Sequence, residues 1–330
     1  MNTRTSLKTL AAAAAVALGV GTAPSAAISA EKITYLLPAP LSLPAFGPWV
    51  LAQHLGYYRD AGYEVEFQVA RGGVDVAKQI GAGNAPIGGA IGDTPIIVRA
   101  NGVPVKAVGV LGGGSMTVIV ARKDSGIEEL ADLKGKTITA LSYQDTTYYA
   151  LLGSLASAGL SKNDVNAQAV GPAGVPQLVM SGEADACACT PDWEITVQDG
   201  IEGTGTVSMP TMDYFPSMAQ AILASDEAIE QRPEMVKAIV QATLKGMQYI
   251  MDDPVKAAKA YAEAQPSFAG QEEKLARILA NYAERTYKGQ SVVGEMDAER
   301  LENLQNFYLE QGFIQQATPV EELYTNAFVE

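Results

Sequence analysis

Histidine and cysteine are almost missing from this chain: one of the first and two of the second in 330 residues. With His54 as the sole imidazole, any Ser–His–Asp arrangement would rest on that residue alone. It falls in the run 46–61, where Phe46, Val50, Leu51, His54, Leu55 and Tyr58 recur at three- and four-residue steps. It is therefore read as packing on an amphipathic helix. The cysteines form Cys187-Ala188-Cys189. Residues i and i+2 of a strand share a face but do not readily close an S–S bridge, so two small buried thiols are expected and a disulfide is not. Two thiols alone do not build a zinc site, and neither a metal nor a cofactor is expected. Basic residues are also few, 23 Lys and Arg against 37 Asp and Glu, for a net charge of −14. Without a Lys/Arg cluster, nucleic acid and anionic membrane are excluded as partners. No G-x-S-x-G occurs, and no G-x-G-x-x-G follows a strand. Gly112-Gly113-Gly114-Ser115 lacks the closing glycine of a nucleophile elbow. Gly135-Lys136-Thr137 resembles the end of a phosphate loop, but Leu130 stands where its first glycine belongs and the tripeptide precedes a strand. Catalysis has little support, and the chain is read as a non-enzyme.

What is present is apolar and export-directed. Hydrophobic residues make up 48% and charged residues 18%, over a length that accommodates two domains. Residues 1–30 carry Arg4 and Lys8, then the apolar stretch Leu10–Val20, then small residues with Ala-x-Ala-like endings at Ala27 and Ala30. This is the pattern of a cleaved secretory signal, with cleavage expected after Ala30. The apolar stretch falls short of the roughly 20 residues that span a bilayer, and no later segment reaches that length. No cysteine follows it, so lipid attachment there is excluded. A periplasmic location is expected.

From Ile33 onward short apolar strands alternate with helices, which implies parallel sheets with helical crossovers. A Gly92-Asp93-Thr94-Pro95 phrase opens one helix, with Asp93 or Thr94 as N-cap and Pro95 near the first helical position. About 100 residues later the pattern repeats. Val65-x-x-Gln68 through Gly72 corresponds to Val165-x-x-Gln168 through Gly171, Gly83 to Gly182, and Gly92–Pro95 loosely to Cys189–Asp192. Two similar α/β lobes are expected. The segments Met116–Asp124 and Met218–Asp226 would carry the chain between them as a hinge. Between Leu133 and Tyr149 a turn leads into a buried strand, Thr137–Leu141, and then a polar elbow of Ser142, Asp145, Thr146 and Thr147 before a helix from about Thr146 to Ala158. Such an elbow exposes backbone N–H groups, and ligands of α/β sheets bind there. Capping is the expected role of Asp93, Asp145, Asp192 and Glu194. After Glu227 the chain reads as amphipathic helices that pad the first lobe.

Several phrases resemble those of the substrate-binding proteins of ABC importers, in the group that includes sulfonate-, taurine- and nitrate-binding proteins (SsuA/TauA-like) and NMT1/THI5-like proteins. They are Leu51–Val65 with its Gly56-Tyr57-Tyr58, Val120–Ile127 with Asp132–Lys136, Gly182–Ala186, and Arg232–Val236. The resemblance implies a type II periplasmic-binding-protein fold, two α/β lobes joined by a two-strand hinge. The lobes would be 31–118 plus 222–330 and 119–221. It implies a monomer that binds a small molecule between the lobes and delivers it to an ABC permease in the inner membrane. The binding positions it implies map to Leu43 and Phe46, Asp93 and Thr94, Ser115 and Met116, Ser142, Tyr143, Thr146 and Thr147, and Asp192 and Trp193. The Cys-rich motif of the fungal pyrimidine synthases of this superfamily is absent, so that enzyme is not expected. Helix N-termini at Thr94, Thr146 and Pro191 favour an anion such as a sulfonate. The nearby aspartates and the faces of Phe46, Trp49 and Trp193 lean instead toward a planar neutral or cationic heterocycle of the thiamine-pyrimidine kind. An enzyme or sensor on the same fold, with Asp145 or Asp192 as base, is the alternative.

Overall fold

The structure, a computed structural model, describes Met1, residues 30–201 and residues 203–330. The export segment expected at 1–30 lies almost wholly outside the described residues. Among the described residues no helix is long and apolar enough to cross a membrane.

The first half runs β1 (Glu31–Leu37), α1 (Gly47–His54), α2 (Tyr57–Asp60), β2 (Tyr63–Val69), α3 (Gly73–Gly81), β3 (Ile87–Ile91), α4 (Thr94–Arg99) and β4 (Val105–Val110). The 46–61 helix expected from periodicity is split, because Gly56 takes a positive φ of 81° that ends α1 and starts α2. Next come β5 (Val118–Arg122), β6 (Thr137–Ala140), α5 (Thr146–Ser157), β7 (Asn166–Ala169), α6 (Gly171–Ser181), β8 (Ala186–Cys189), α7 (Pro191–Gly200) and β9 (Thr206–Pro210). The chain ends with β10 (Gln220–Ser225), α8 (Asp226–Gln231), α9 (Pro233–Asp252), α10 (Pro254–Ala264), α11 (Glu272–Tyr282), a π turn at Ala283–Tyr287, α12 (Ala298–Glu310) and α13 (Val320–Leu323).

Two five-stranded sheets form, in the orders β2-β1-β3-β10-β4 and β7-β6-β8-β5-β9. The expected repeat is therefore real: β2-α3-β3-α4-β4 and β7-α6-β8-α7-β9 occupy matching places. The sheets are mixed, not purely parallel. β10 runs antiparallel to β3 and β4, and β5 antiparallel to β8 and β9. The reason is topological. These two strands enter their sheets directly from the opposite lobe, at the end where β1, β3, β6 and β8 finish. The crossings themselves are the irregular stretches 111–117 and 211–219. They meet where Met116 N–H donates to Met218 O at 3.5 Å, and Thr211 N–H donates to Thr117 O at 3.1 Å. Arg300 from α12 ties both together, donating to Gly113 O at 2.6 Å, to Pro216 O at 2.9 Å and to Ser217 O. The glycine run at 112–114 has a steric cause here. A Cβ at Gly114 would lie 2.0 Å from Arg285 O, and one at Gly112 2.0 Å from Thr286 O.

The second sheet is buried on both faces. Ile119, Ala121, Ile138, Ala186 and Ala188 meet Leu151 and Leu155 of α5. The alternate residues Val118, Val120, Cys187 and Cys189 share a core with Val175, Val179 and Val197. Cys187 and Cys189 are joined in a disulfide, contrary to the expectation of free thiols. Their Cα atoms are 5.4 Å apart. That is shorter than the roughly 6.6 Å of two regular strand residues, and within the range a disulfide spans.

Candidate functional site

Strand ends decide where a site can form. The carboxyl ends of β1, β3, β6 and β8 and the amino ends of β5 and β10 all open between the lobes, the place where open α/β sheets bind ligands. A cavity of about 40 Å³ lies there, lined by Pro38, Ala39, Leu43, Ala45, Phe46, Gly73, Ala90, Ile91, Met116, Leu141, Asp145, Thr147, Thr190, Trp193 and Gln220. At roughly 10–15 Å³ per water, it has room for about three. Its wall is mostly apolar, with Phe46 from one lobe and Trp193 from the other, and contains no lysine, arginine or histidine.

The cavity is small because the lobes are in contact. Val74 N–H donates to Gln144 O at 2.9 Å, and Ser142 Oγ to Arg71 O at 2.8 Å. Thr94 Oγ1 and Thr146 Oγ1 share a 2.9 Å hydrogen bond. Asp145 serves both sides. One carboxylate oxygen caps its own helix, accepting from Thr147 N–H at 3.0 Å and Thr147 Oγ1 at 2.5 Å. The other accepts from Gly73 N–H, the first residue of α3 in the opposite lobe, at 3.2 Å. Burial pushes the Asp145 carboxyl above its usual range, and the bonds from Thr147 and Gly73 pull it back. Gly73 has to be glycine for this closure, since a Cβ would lie 2.5 Å from Thr146 Oγ1.

A second line of contact runs from α7 to α11 and the π turn. Arg277 holds Asp199 with two bonds of 2.7 and 3.2 Å, and Arg285 reaches buried Glu194 at 2.7 Å. Tyr282 O–H donates to Asp192 Oδ1 at 2.8 Å, the atom that also accepts from Thr190 Oγ1 at 2.6 Å. Burial raises the Asp192 carboxyl, and these two hydroxyls lower it.

Of the residues expected at the site, Leu43, Phe46, Met116, Thr147 and Trp193 line the cavity. Thr94, Ser142 and Thr146 form the contacts between the lobes beside it. Ser115 lies in the first crossing, where its hydroxyl meets Thr211 Oγ1 at 2.9 Å. Asp93 and Asp192 are buried behind the wall. Asp93 is not a side-chain cap of α4. It accepts from Tyr308 O–H at 2.6 Å, while its Oδ1 has no partner among the described residues. Burial lifts the Asp93 carboxyl to about 6, against the lowering effects of Tyr308 and nearby Arg300. Tyr143 points away from the cavity, 53% exposed, its O–H on Ala167 O and its ring edge-on to Tyr148. Asp145 also lines the cavity, within the elbow expected to cradle a ligand, whereas Thr190 and Gln220, which line it too, were not among the expected positions. His54 sits at the end of α1 beside Glu263, 3.5 Å away and far from the cavity. Among the described residues no cluster of His, Cys, Asp and Glu could hold a metal.

Two mixed sheets of this strand order, two crossings and a cavity between the strand ends define a protein of the periplasmic-binding-protein fold, type II. The profile of the family described as "NMT1/THI5 like" matches residues 43–257. The chain belongs to that family. The riboflavin-binding protein RibY of Chloroflexus aurantiacus is 24% identical over 293 residues, 86% of this chain and 82% of that one. The 4-amino-5-hydroxymethyl-2-methylpyrimidine phosphate synthase of Schizosaccharomyces pombe is 29% identical over 249 residues, 71% of this chain and 70% of its own. Among solved structures, the alkanesulfonate-binding protein SsuA of Xanthomonas axonopodis pv. citri, bound to MOPS, superposes with a TM-score of 0.71 at 19% identity, covering 91% of this chain and 99% of that one. That likeness shows the fold alone.

Proposed function

We propose that the protein is an exported solute receptor that captures a small organic nutrient between its lobes and delivers it to an ABC importer in the inner membrane. The observation that carries this reading is the cavity at the strand ends, flanked by direct contacts between the lobes. Opening the hinge would break those contacts and widen the way in, which is how two-lobed receptors admit their ligands. The wall favours a thiamine-pyrimidine-like heterocycle over a sulfonate. Phe46 and Trp193 offer planar faces, Asp145 a carboxylate, and no cation is present to pair with an anion. Residues 1–30 would direct export, the lobes would divide at 118/119 and 221/222, and the protein would act as a monomer.

The test is a thermal-shift screen with pyrimidines, sulfonates and carboxylates. Binding confined to the folded state raises the apparent stability, by about 2.7 kcal/mol at a hundredfold excess over Kd. Pyrimidines should raise Tm and sulfonates should not. A flat response across a broad library would sink the receptor reading. The names of the fungal relatives favour a second reading, an enzyme of pyrimidine synthesis with Asp145 as base. Formation of a pyrimidine product by the purified protein, abolished in Asp145→Asn, would establish it.

A further inference from the structure

Gln220 opens β10, pairs with Ile91 across the sheet, and gives its backbone oxygen to Leu111 N–H at 2.7 Å. Its side chain is 5% exposed and lines the cavity. The side-chain amide makes no hydrogen bond to any described residue. Its neighbours on the wall are differently placed. Thr147 Oγ1 gives its proton to Asp145, and Thr190 Oγ1 gives its proton to Asp192. Both hydroxyls can therefore offer a ligand only lone pairs, and the Asp145 carboxylate likewise only accepts. Gln220 is the group on this wall that can donate and accept side by side. With no protein partner, its two ends face the cavity and are left to the few waters there or to a ligand that can pair both at once.

We propose that Gln220 is the specificity-determining residue of the site, and that it selects ligands carrying an acceptor and an N–H donor on the two atoms that flank one planar carbon. Amides, lactams and amino-imine edges have this arrangement. The inference rests on the receptor reading above and assigns it a reading head. Phe46 and Trp193 confine the ligand's plane, and Gln220 fixes its rotation within that plane. Because Gln220 lies two residues beyond Met218, where the two crossings touch, its pairing with a ligand acts next to the hinge. A ligand without the edge leaves the amide unpaired and is discriminated against.

Titration calorimetry with a matched pair tests this: 4-aminopyrimidine, which has the edge, and 4-methylpyrimidine, which has the same shape without the N–H. The wild type should bind the amino compound about tenfold more tightly or better. Gln220→Leu should reduce that preference to about twofold. Gln220→Glu keeps the size of the side chain but loses the N–H, so it should weaken 4-aminopyrimidine by about tenfold, and it serves if the leucine variant fails to fold. A preference unchanged in the variants overturns the assignment of Gln220 while leaving the receptor reading intact. A wild type that binds neither probe, with nothing co-purifying in native mass spectrometry, overturns both. A wild type that binds both probes equally overturns the edge rule alone.

Discussion

Asp93 and Asp192 occupy matching places in the two lobes, each just after the strand that precedes the fourth and seventh helices, and each receives a hydrogen bond from a buried tyrosine of the C-terminal helices. There the likeness ends. With the lobes divided as proposed above, Tyr308 belongs to the same lobe as Asp93, so their bond braces one lobe against itself. Tyr282 belongs to the opposite lobe from Asp192, so its bond exists only while the lobes are together. Asp93 also keeps one oxygen without a partner, whereas the bonded oxygen of Asp192 takes two hydroxyls. A duplicated framework has thus been put to two uses, internal support on one side and closure on the other.

The largest effect that would sharpen this contrast is in pH dependence. Burial raises the Asp93 carboxyl from 3.8 to about 6 in the folded protein. Between those values the folded state binds more protons than the unfolded one, so stability falls as pH rises from about 4 to about 6 and is level above that. A displacement of this size corresponds to about 3 kcal/mol. Asp93→Asn stays neutral throughout and can still accept from Tyr308. It should flatten that part of the stability profile and raise Tm above pH 7. Thermal unfolding from pH 4 to 8 decides it, and a variant profile parallel to the wild type would rule out Asp93 as the source.

Next in size is the pair of tyrosines. A hydrogen bond to a charged group contributes about 1.5–3 kcal/mol. Tyr308→Phe should remove that from the stability of the ligand-free protein and leave ligand affinity nearly unchanged. Tyr282→Phe should act mainly on affinity, because the open protein has already lost its bond. Denaturant unfolding and calorimetry on both variants separate the two. Equal effects on both quantities would dissolve the distinction between brace and clasp.

How much of this was legible in the sequence depends on whether the determinant was local. The elbow at 142–147 was visible because a buried strand, a polar turn and a capping aspartate follow one another in the chain, and Asp145 does cap. Leu43, Phe46, Met116, Thr147 and Trp193 were placed near the cavity by the family resemblance, not by the spacing of the residues themselves. So was Tyr143. Its direction is set by Tyr148 and by a carbonyl 24 residues away, which no local pattern encodes. Gln220 reads as the polar first residue of a buried strand. Only the insertion of that strand between two others, set by long-range pairing, points it at the cavity. The disulfide was missed because ideal strand spacing was assumed. Asp93, Asp192 and Glu194 were expected to cap helices, but each is also held by a side chain 87 to 215 residues further on, which no local pattern announces.

The smallest effect concerns the charged contacts from Asp199 and Glu194 to the eleventh helix and the π turn. Arg277 and Asp199 are both partly exposed, and pairs of that kind contribute little to stability. Their position matters more than their strength. Asp199 moves with one lobe and Arg277 with the other, so whatever the pair contributes belongs wholly to closure. Arg277→Ala should therefore leave Tm of the ligand-free protein close to wild type and weaken ligand binding by about two- to fivefold. Screening gives an independent handle, since the Debye length shrinks from about 10 Å at 0.1 M salt to about 3 Å at 1 M. The wild type should lose affinity across that range and Arg277→Ala should lose less. Glu194 is buried under Arg285 and is screened far less, so Arg285→Ala should weaken binding at every salt concentration. If Arg277→Ala responds to salt as the wild type does and Arg285→Ala binds as tightly as the wild type, the closure is held by the Tyr282 bond and the contacts around Asp145, and the charges only decorate it.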